Sequence, residues 1–228
     1  MTARVGVVVF PGTNCEHDVA WAVGLLGGEA ELVWHDRTDL AGFDAVVVPG
    51  GFAHGDYLRT GAIARFSPVM TAVADLAAAG GPVVGICNGF QVLCEAGLLP
   101  GALQKNAGLR FLCRTVRTRV ETDRSALTAG VPAGTELALP VNHFEGSYVC
   151  DELTLRRLQD EDRVVLRYVD NPNGSLDDVA GVCSAEGNVV GLMPHPERAA
   201  EAVLGSADGA VLLAAFLDVA AGRVAARG

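Results

Sequence analysis

One cysteine, Cys87, stands in the heptapeptide Gly85-Ile86-Cys87-Asn88-Gly89-Phe90-Gln91, between an apolar run at 82–86 and a helix-like run at 90–96. A strand that turns sharply into a helix presents one side chain at its apex. Glycine two residues away on each side lets neighbouring backbone approach without Cβ clashes, the logic of the G-x-S-x-G elbow. A helix beginning near Asn88 aims its positive end and free N–H groups at the sulfur, which favours a thiolate. The stretch therefore suits an exposed nucleophile, and equally a buried cysteine in an ordinary strand–helix turn.

A nucleophilic thiol needs a base, and the base needs a group that orients it. His195 lies between Pro194 and Pro196, just after a short strand-like run, with Glu197 two residues on. The prolines stiffen the segment. In extended chain, residues two apart point the same way, so Glu197 can accept the second ring N–H of His195. Of the other histidines, His17 and His35 lie in polar stretches and read as surface residues. His54 stands in the glycine-rich loop 50–55 and carries no assigned role. His143 belongs to the polar and aromatic cluster 141–146, which reads as a binding loop.

The chemistry also needs donors for a developing oxyanion. The run 46–52 is a strand ending in Gly50-Gly51-Phe52, a turn that can aim backbone N–H groups at such a charge. The same glycines could simply make a turn. No GxxxxGK[ST] occurs, and this loop lacks the dinucleotide-binding spacing, so no nucleotide site is legible.

The elements around these residues read as an α/β domain. Apolar runs at 5–10, 32–34, 45–49 and 83–86 suggest strands. A helix with Val19, Ala22, Val23 and Leu26 on one face, capped by a side-chain oxygen of the turn 11–14, follows the first run. Another, opened by Ser67-Pro68, precedes the fourth. Strand, helix, strand at this spacing implies right-handed crossovers and a doubly wound, mostly parallel sheet with helices on both faces. Beyond Gly101, runs at 111–121, 136–140, 164–169, 179–183 and 189–192 read as strands with little helix between them, an antiparallel extension. A last helix over 208–221, capped by Asp208, turns Val211, Leu212, Ala215, Phe216 and Val219 inward. One domain over 1–228 is expected.

Half of the 228 residues are hydrophobic, which argues against disorder. The net charge is −10, from 17 basic and 27 acidic residues. An acidic surface is unsuited to nucleic acid, whose phosphates call for clustered Lys and Arg. No apolar run approaches the ~20 residues that span a bilayer, and no cleavage signal follows the amino terminus. A soluble cytoplasmic protein is expected, with no membrane partner. The six cysteines, at 15, 87, 94, 113, 150 and 183, form no CxxC pair, which predicts free thiols and no metal site.

With GICNGFQ, the Gly-Gly loop upstream and His-Pro-Glu near the end, the chain resembles a class I glutamine amidotransferase. FPGTNCEHD (10–18), VVPGGFAHGDYLRTGAIAR (47–65), CNGFQVLCEAGLLPGAL (87–103), VNHFEGSY (141–148) and GLMPHPERA (191–199) are similar to the branch that serves as glutaminase subunit to an ATP-dependent carbon–nitrogen ligase of purine biosynthesis. The resemblance implies a triad of Cys87, His195 and Glu197. It implies an oxyanion hole from the backbone N–H of Gly51 or Phe52 together with that of Asn88. Gln91 matches the family's substrate contact, and Asn142, His143 and Phe144 match the loop holding the α-substituents of L-glutamine. The resemblance further implies a large synthetase subunit that carries ATP and Mg²⁺, a small third subunit, and no cofactor on this chain. Cys15 and His17 could line the site, but read first as a buried thiol and a surface residue.

Competing readings are a stand-alone Cys hydrolase or chaperone-like protein of the same superfamily, and a catalytically silent scaffold subunit. Asn88, where such hydrolases place His, and the intact Cys87, His195 and Glu197 set speak against both. The basic residues Lys105, Arg110, Arg114, Arg117 and Arg119 read as a solvated strand face or, alternatively, as a docking surface for the synthetase.

Overall fold

The structure is a computed structural model describing residues 2–224. Its main sheet has nine strands in the order β2-β1-β3-β4-β11-β10-β9-β6-β7. β1 (Arg4–Val9), β2 (Glu29–Trp34), β3 (Ala45–Val48), β4 (Val83–Ile86) and β11 (Val189–Leu192) run parallel to their neighbours in this set. β10 (Val179–Cys183), β9 (Val164–Tyr168), β6 (Leu112–Val120) and β7 (Glu136–His143) continue the sheet antiparallel. A small hairpin-like pair, β5 (Ala102–Lys105) with β8 (Glu145–Val149), stands apart.

β3, β4, β10 and β11 are buried at every residue. A strand reads as continuously apolar when both of its faces are covered, which is the condition of a doubly wound sheet. The covering helices are α1 (Glu16–Leu25), α2 (Pro68–Ala78), α3 (Asn88–Glu95) and α5 (Gly209–Ala220). One apolar cluster runs from Val5 and Val7 through Val47, Val84 and Val190 to Phe216. Four adjacent parallel strands, β1, β3, β4 and β11, point their carboxyl ends the same way. Ligands in open α/β sheets bind beyond those ends.

Several local expectations change. Neither Thr13 nor Asn14 caps α1: Cys15 is its N-cap and the helix has no side-chain cap. The Thr13 hydroxyl instead accepts from Phe10 N–H at 2.9 Å, closing the turn within itself. Asp208 stands at the N-cap of α5 as expected, but its side chain makes no capping hydrogen bond; its Oδ2 accepts from Ala138 N–H at 2.7 Å and so ties the helix start to β7. Leu213 and Leu217 are buried on α5, whereas Val211 is exposed. The carboxy-terminal half contains α4 (Glu152–Asp160), where little helix was expected. Asp151 caps it by accepting from Thr154 N–H at 2.8 Å. His35 is half-buried, with its ring 5.2 Å from that of His54. The stretch 141–146, expected as a binding loop, is mostly strand: 141–143 end β7, 145–146 begin β8, and Phe144 alone connects them. Arg117 pairs with Glu136 at 3.2 Å and Asp170 at 2.9 Å, and Arg119 with Glu121 at 2.7 Å, as on a solvated strand face.

Candidate active site

β4 ends at Ile86 and α3 begins at Asn88, so Cys87 alone makes the turn. Its φ of 52° and ψ of −106° lie where side chains with a Cβ are rarely found. Its N–H donates to the Leu192 carbonyl at 2.8 Å, anchoring the elbow to β11. The glycines allow α3 to press on the sheet. A Cβ on Gly89 would overlap the Val48 carbonyl, and one on Gly85 would lie 2.6 Å from Leu93 Cδ1. The side chain of Asn88 then locks the elbow to the Gly-rich loop. Its Oδ1 accepts from Ala53 N–H at 3.0 Å, while its Nδ2 donates to Asp56 Oδ1 at 3.0 Å and Gln91 Oε1 at 2.9 Å.

His195 follows β11, and its N–H donates to the Pro140 carbonyl at 2.8 Å. Its Nδ1 lies 2.6 Å from Glu197 Oε1. Both side chains are almost fully buried, at 1% exposure each. The carboxylate accepts from Nδ1–H, which leaves Nε2 as the ring nitrogen that can exchange a proton with the cavity. That Nε2 is buried without a hydrogen-bond partner. Burial alone would push His195 down; the Glu197 carboxylate, helped by the Cys87 and Cys15 sulfurs, more than offsets it and holds the imidazole well above its ordinary value. Gly50 makes room for this meeting. A Cβ there would lie 2.8 Å from His195 Cε1, 3.2 Å from Cys15 Sγ and 3.5 Å from Cys87 Cβ.

The backbone N–H groups of the Gly-rich turn differ in whether they are already engaged. Phe52 N–H is engaged by the Gly12 carbonyl at 2.8 Å, and Gly50 O accepts from both Asn14 and Cys15 N–H. Gly51 N–H and Asn88 N–H have no backbone acceptor among the described residues. Gly51 holds φ at 148°, and a Cβ on it would sit 2.6 Å from Asn14 N. Only glycine fits.

A cavity of about 420 Å³ joins these pieces, lined among others by Gly51, Cys87, Gln91, Asn142, His143, Phe144 and His195. Cys87 and His195 thus share one chamber with the residues inferred for binding, while Glu197 lies behind His195, outside its lining. Cys87 Sγ is 3.8 Å from the Asn142 carbonyl. Gln91 is buried, and its amide is already engaged by Asn88 and by the Glu145 carbonyl. Phe144 is half-open at the mouth, with Lys105 Nζ 6.0 Å from its ring. His143 is buried, and its Nδ1 lies 3.1 Å from Asn106 Oδ1. Burial, then the nearby His195, pushes it down to about 4, so it is neutral at pH 7.

Sequence reasoning missed Asn106, Asp56, Glu145 and Arg198. Asn106 is buried and binds the carbonyls of His143 and Arg110 as well as Gly146 N–H, fixing the β7–β8 connection. Nothing in its neighbourhood, Lys105-Asn106-Ala107, signals that task. Cys15 is buried in the cavity wall, as are Cys87 and Cys183 in their own settings, whereas Cys113 is exposed. Cys15, His195 and Glu197 bring metal-ligand atoms within 4.8 Å of one another, but the His195–Glu197 hydrogen bond already occupies Nδ1 and Oε1. Among the described residues no helix is long and apolar enough to cross a membrane.

The pattern of the CobB/CobQ-like glutamine amidotransferase domain matches residues 2–209. The chain is 60% identical over 214 residues to the phosphoribosylformylglycinamidine synthase subunit PurQ of Rubrobacter xylanophilus, covering 94% of this chain and 97% of that protein. It is 57% identical over 208 residues to the PurQ subunit of Synechococcus sp. (strain JA-3-3Ab), covering 90% and 92%. The structure of PurLQS from Thermotoga maritima superposes with a TM-score of 0.88 at 40% identity, covering 96% of this chain and 99% of that one.

Proposed function

The chain belongs to the CobB/CobQ-like glutamine amidotransferase family, and from that premise we propose that it hydrolyses L-glutamine to glutamate and ammonia as the glutaminase subunit of phosphoribosylformylglycinamidine synthase. The ammonia passes to a large synthetase subunit, assembled with a small third subunit, that uses ATP and Mg²⁺ to convert formylglycinamide ribonucleotide to formylglycinamidine ribonucleotide. The observation that carries this reading is the convergence, in one cavity, of an elbow cysteine with His195, whose buried ring is held from behind by Glu197.

Nε2 of His195 takes the Cys87 thiol proton, and the sulfur, now a thiolate, attacks the side-chain amide carbon. The carbonyl oxygen becomes an oxyanion held by the N–H groups of Gly51 and Asn88, each such donor being worth about 3 kcal/mol. The imidazolium of His195 gives its Nε2 proton to the departing amine, which leaves as ammonia. A γ-glutamyl thioester remains on Cys87. Water, deprotonated by the same Nε2, attacks the thioester; glutamate leaves and the sulfur is restored. Glu197 accepts from Nδ1 and holds the ring in the tautomer that points Nε2 at the sulfur.

The test is glutamate release from L-glutamine by the purified chain with its synthetase partners, combined with labelling by a glutamine-analogue diazoketone. We expect label on Cys87 and loss of glutaminase activity together. Label confined to the other cysteines, or absence of glutamate release, would overturn the assignment. Identifying the chains that co-purify from a native extract tests the assembly.

A further inference from the structure

Hydrolysis of a neutral amide requires no fixed charge in the pocket, yet this one carries several. Arg198 lines it on the α1 side, with its Nε 3.0 Å from Asp18 Oδ2. Asp56 and Glu145 line it beside α3 and the β7–β8 connection. Burial raises the Asp56 carboxyl above its ordinary range and the charge of Glu145 adds to this, against hydrogen bonds from Asn88 and from Gly61 N–H. No cation is among the groups that act on it. A half-buried carboxylate facing another carboxylate across a cavity is a costly arrangement unless a cation completes it.

The backbone is bent to make this placement. His54, Gly55, Asp56 and Leu58 all have positive φ, with Asp56 at 51°. The bend is held by His54 N–H on the Pro11 carbonyl at 2.6 Å and by Gly55 N–H on the Phe52 carbonyl at 2.7 Å. Strain of this kind persists where the surroundings over-determine it, and it concentrates at ligand clamps. Two further groups mark the cavity as built for a ligand. Nε2 of His195 and Nε2 of His143, both on nearly fully buried side chains, line it without partners.

We infer that Asp56, its field reinforced by Glu145, seats the α-ammonium group of the substrate and makes the site select an α-amino acid amide over a simple primary amide. The inference rests on the glutaminase reading and extends it to a residue outside the triad and the Asn142–Phe144 segment. Its position suits the task. Asp56 is one hydrogen bond from Asn88, the residue after the nucleophile. An amide carbon on Cys87 therefore leaves the amino acid end within the region that Asp56 borders.

The test compares L-glutamine with glutaramate, its analogue lacking the α-amino group, using the full chain with its co-purified partners. The wild type should prefer L-glutamine strongly. Asp56→Asn keeps an acceptor for Asn88 and removes the charge. It should lower kcat/KM for L-glutamine by about 10²-fold, chiefly through KM, as expected for a lost charged hydrogen bond. Turnover of glutaramate should stay within about threefold, because that substrate has no ammonium to lose. Asp56→Glu should recover part of the preference, and Glu145→Gln should weaken it several-fold. An equal fall on both substrates would make Asp56 a support for Asn88 and overturn the inference. So would an unchanged preference in Asp56→Asn, or a wild type that does not discriminate. If the wild type releases no glutamate, the glutaminase reading itself falls, and the inference with it.

Discussion

Two helices on the same sheet begin at a buried cysteine, and only one of them offers a nucleophile. α1 follows β1 after a six-residue connection, 10–15, and α3 follows β4 after one residue. Cys15 and Cys87 are their N-caps, and both sulfurs lie beside the ring of His195. The longer connection lets Cys15 relax to φ −107°, ψ 12°, so its thiol lies in the wall. The single-residue connection forces Cys87 to φ 52°, and its sulfur lies 3.8 Å from the Asn142 carbonyl at the cavity. A cysteine at a helix start is therefore not the signal. The length of the turn is, because it decides whether the side chain is at the apex or beside it.

The sharpest way to break the comparison is to remove each thiol. Cys87→Ala should reduce glutamate release by more than about 10⁴-fold, since the covalent route is lost. Glu197→Gln should lower kcat by about 10²–10⁴-fold while leaving KM nearly unchanged, because the Nδ1 tautomer and the imidazolium lose their partner. A pH–rate profile should show the His195 titration shifted to lower pH in that variant. Gly89→Ala should cost about 3 kcal/mol or more in denaturant unfolding, since its Cβ has no space against β3.

A smaller effect separates the two walls by pH. His143 is held down to about 4, against an ordinary value of 6.5. The unfolded chain takes up that proton first, so the contribution is present above about pH 6.5 and fades as pH falls towards 4. Its slope is about 1.4 kcal/mol per pH unit at most. His143→Gln should flatten the stability curve in that window, as measured by urea midpoints from pH 7 to pH 4. Cys15→Ala should change glutamate release least, within about threefold. A loss approaching that of Cys87→Ala would erase the distinction between the two helix starts.

Local signals were enough for the middle of the sheet. The runs 83–86, 179–183 and 189–192 coincide with β4, β10 and β11 because strands buried on both faces are apolar without interruption. α4 escaped notice because it is exposed along most of its length, with Leu158 its only fully buried residue. β5 and β8 pair mainly with each other, which leaves little alternation to read. The capping hydrogen bonds expected from Thr13 and Asp208 are absent for a related reason. A short polar side chain beside a helix start has several backbone groups within reach, and packing chooses among them.

The sequence by itself determined the chemistry-bearing positions: a glycine-flanked Cys87, a proline-held His195 with Glu197 in step, and a glycine turn at 50–51. Each depends on backbone geometry that neighbouring residues dictate. Only the tertiary structure decided the rest. It engaged Phe52 N–H with the Gly12 carbonyl, set Cys15 against the same imidazole, and brought Asp56 and Glu145 to one cavity. Those contacts join segments dozens of residues apart, so their partners are fixed by how β1, β3, β4 and β11 lie side by side rather than by any local pattern.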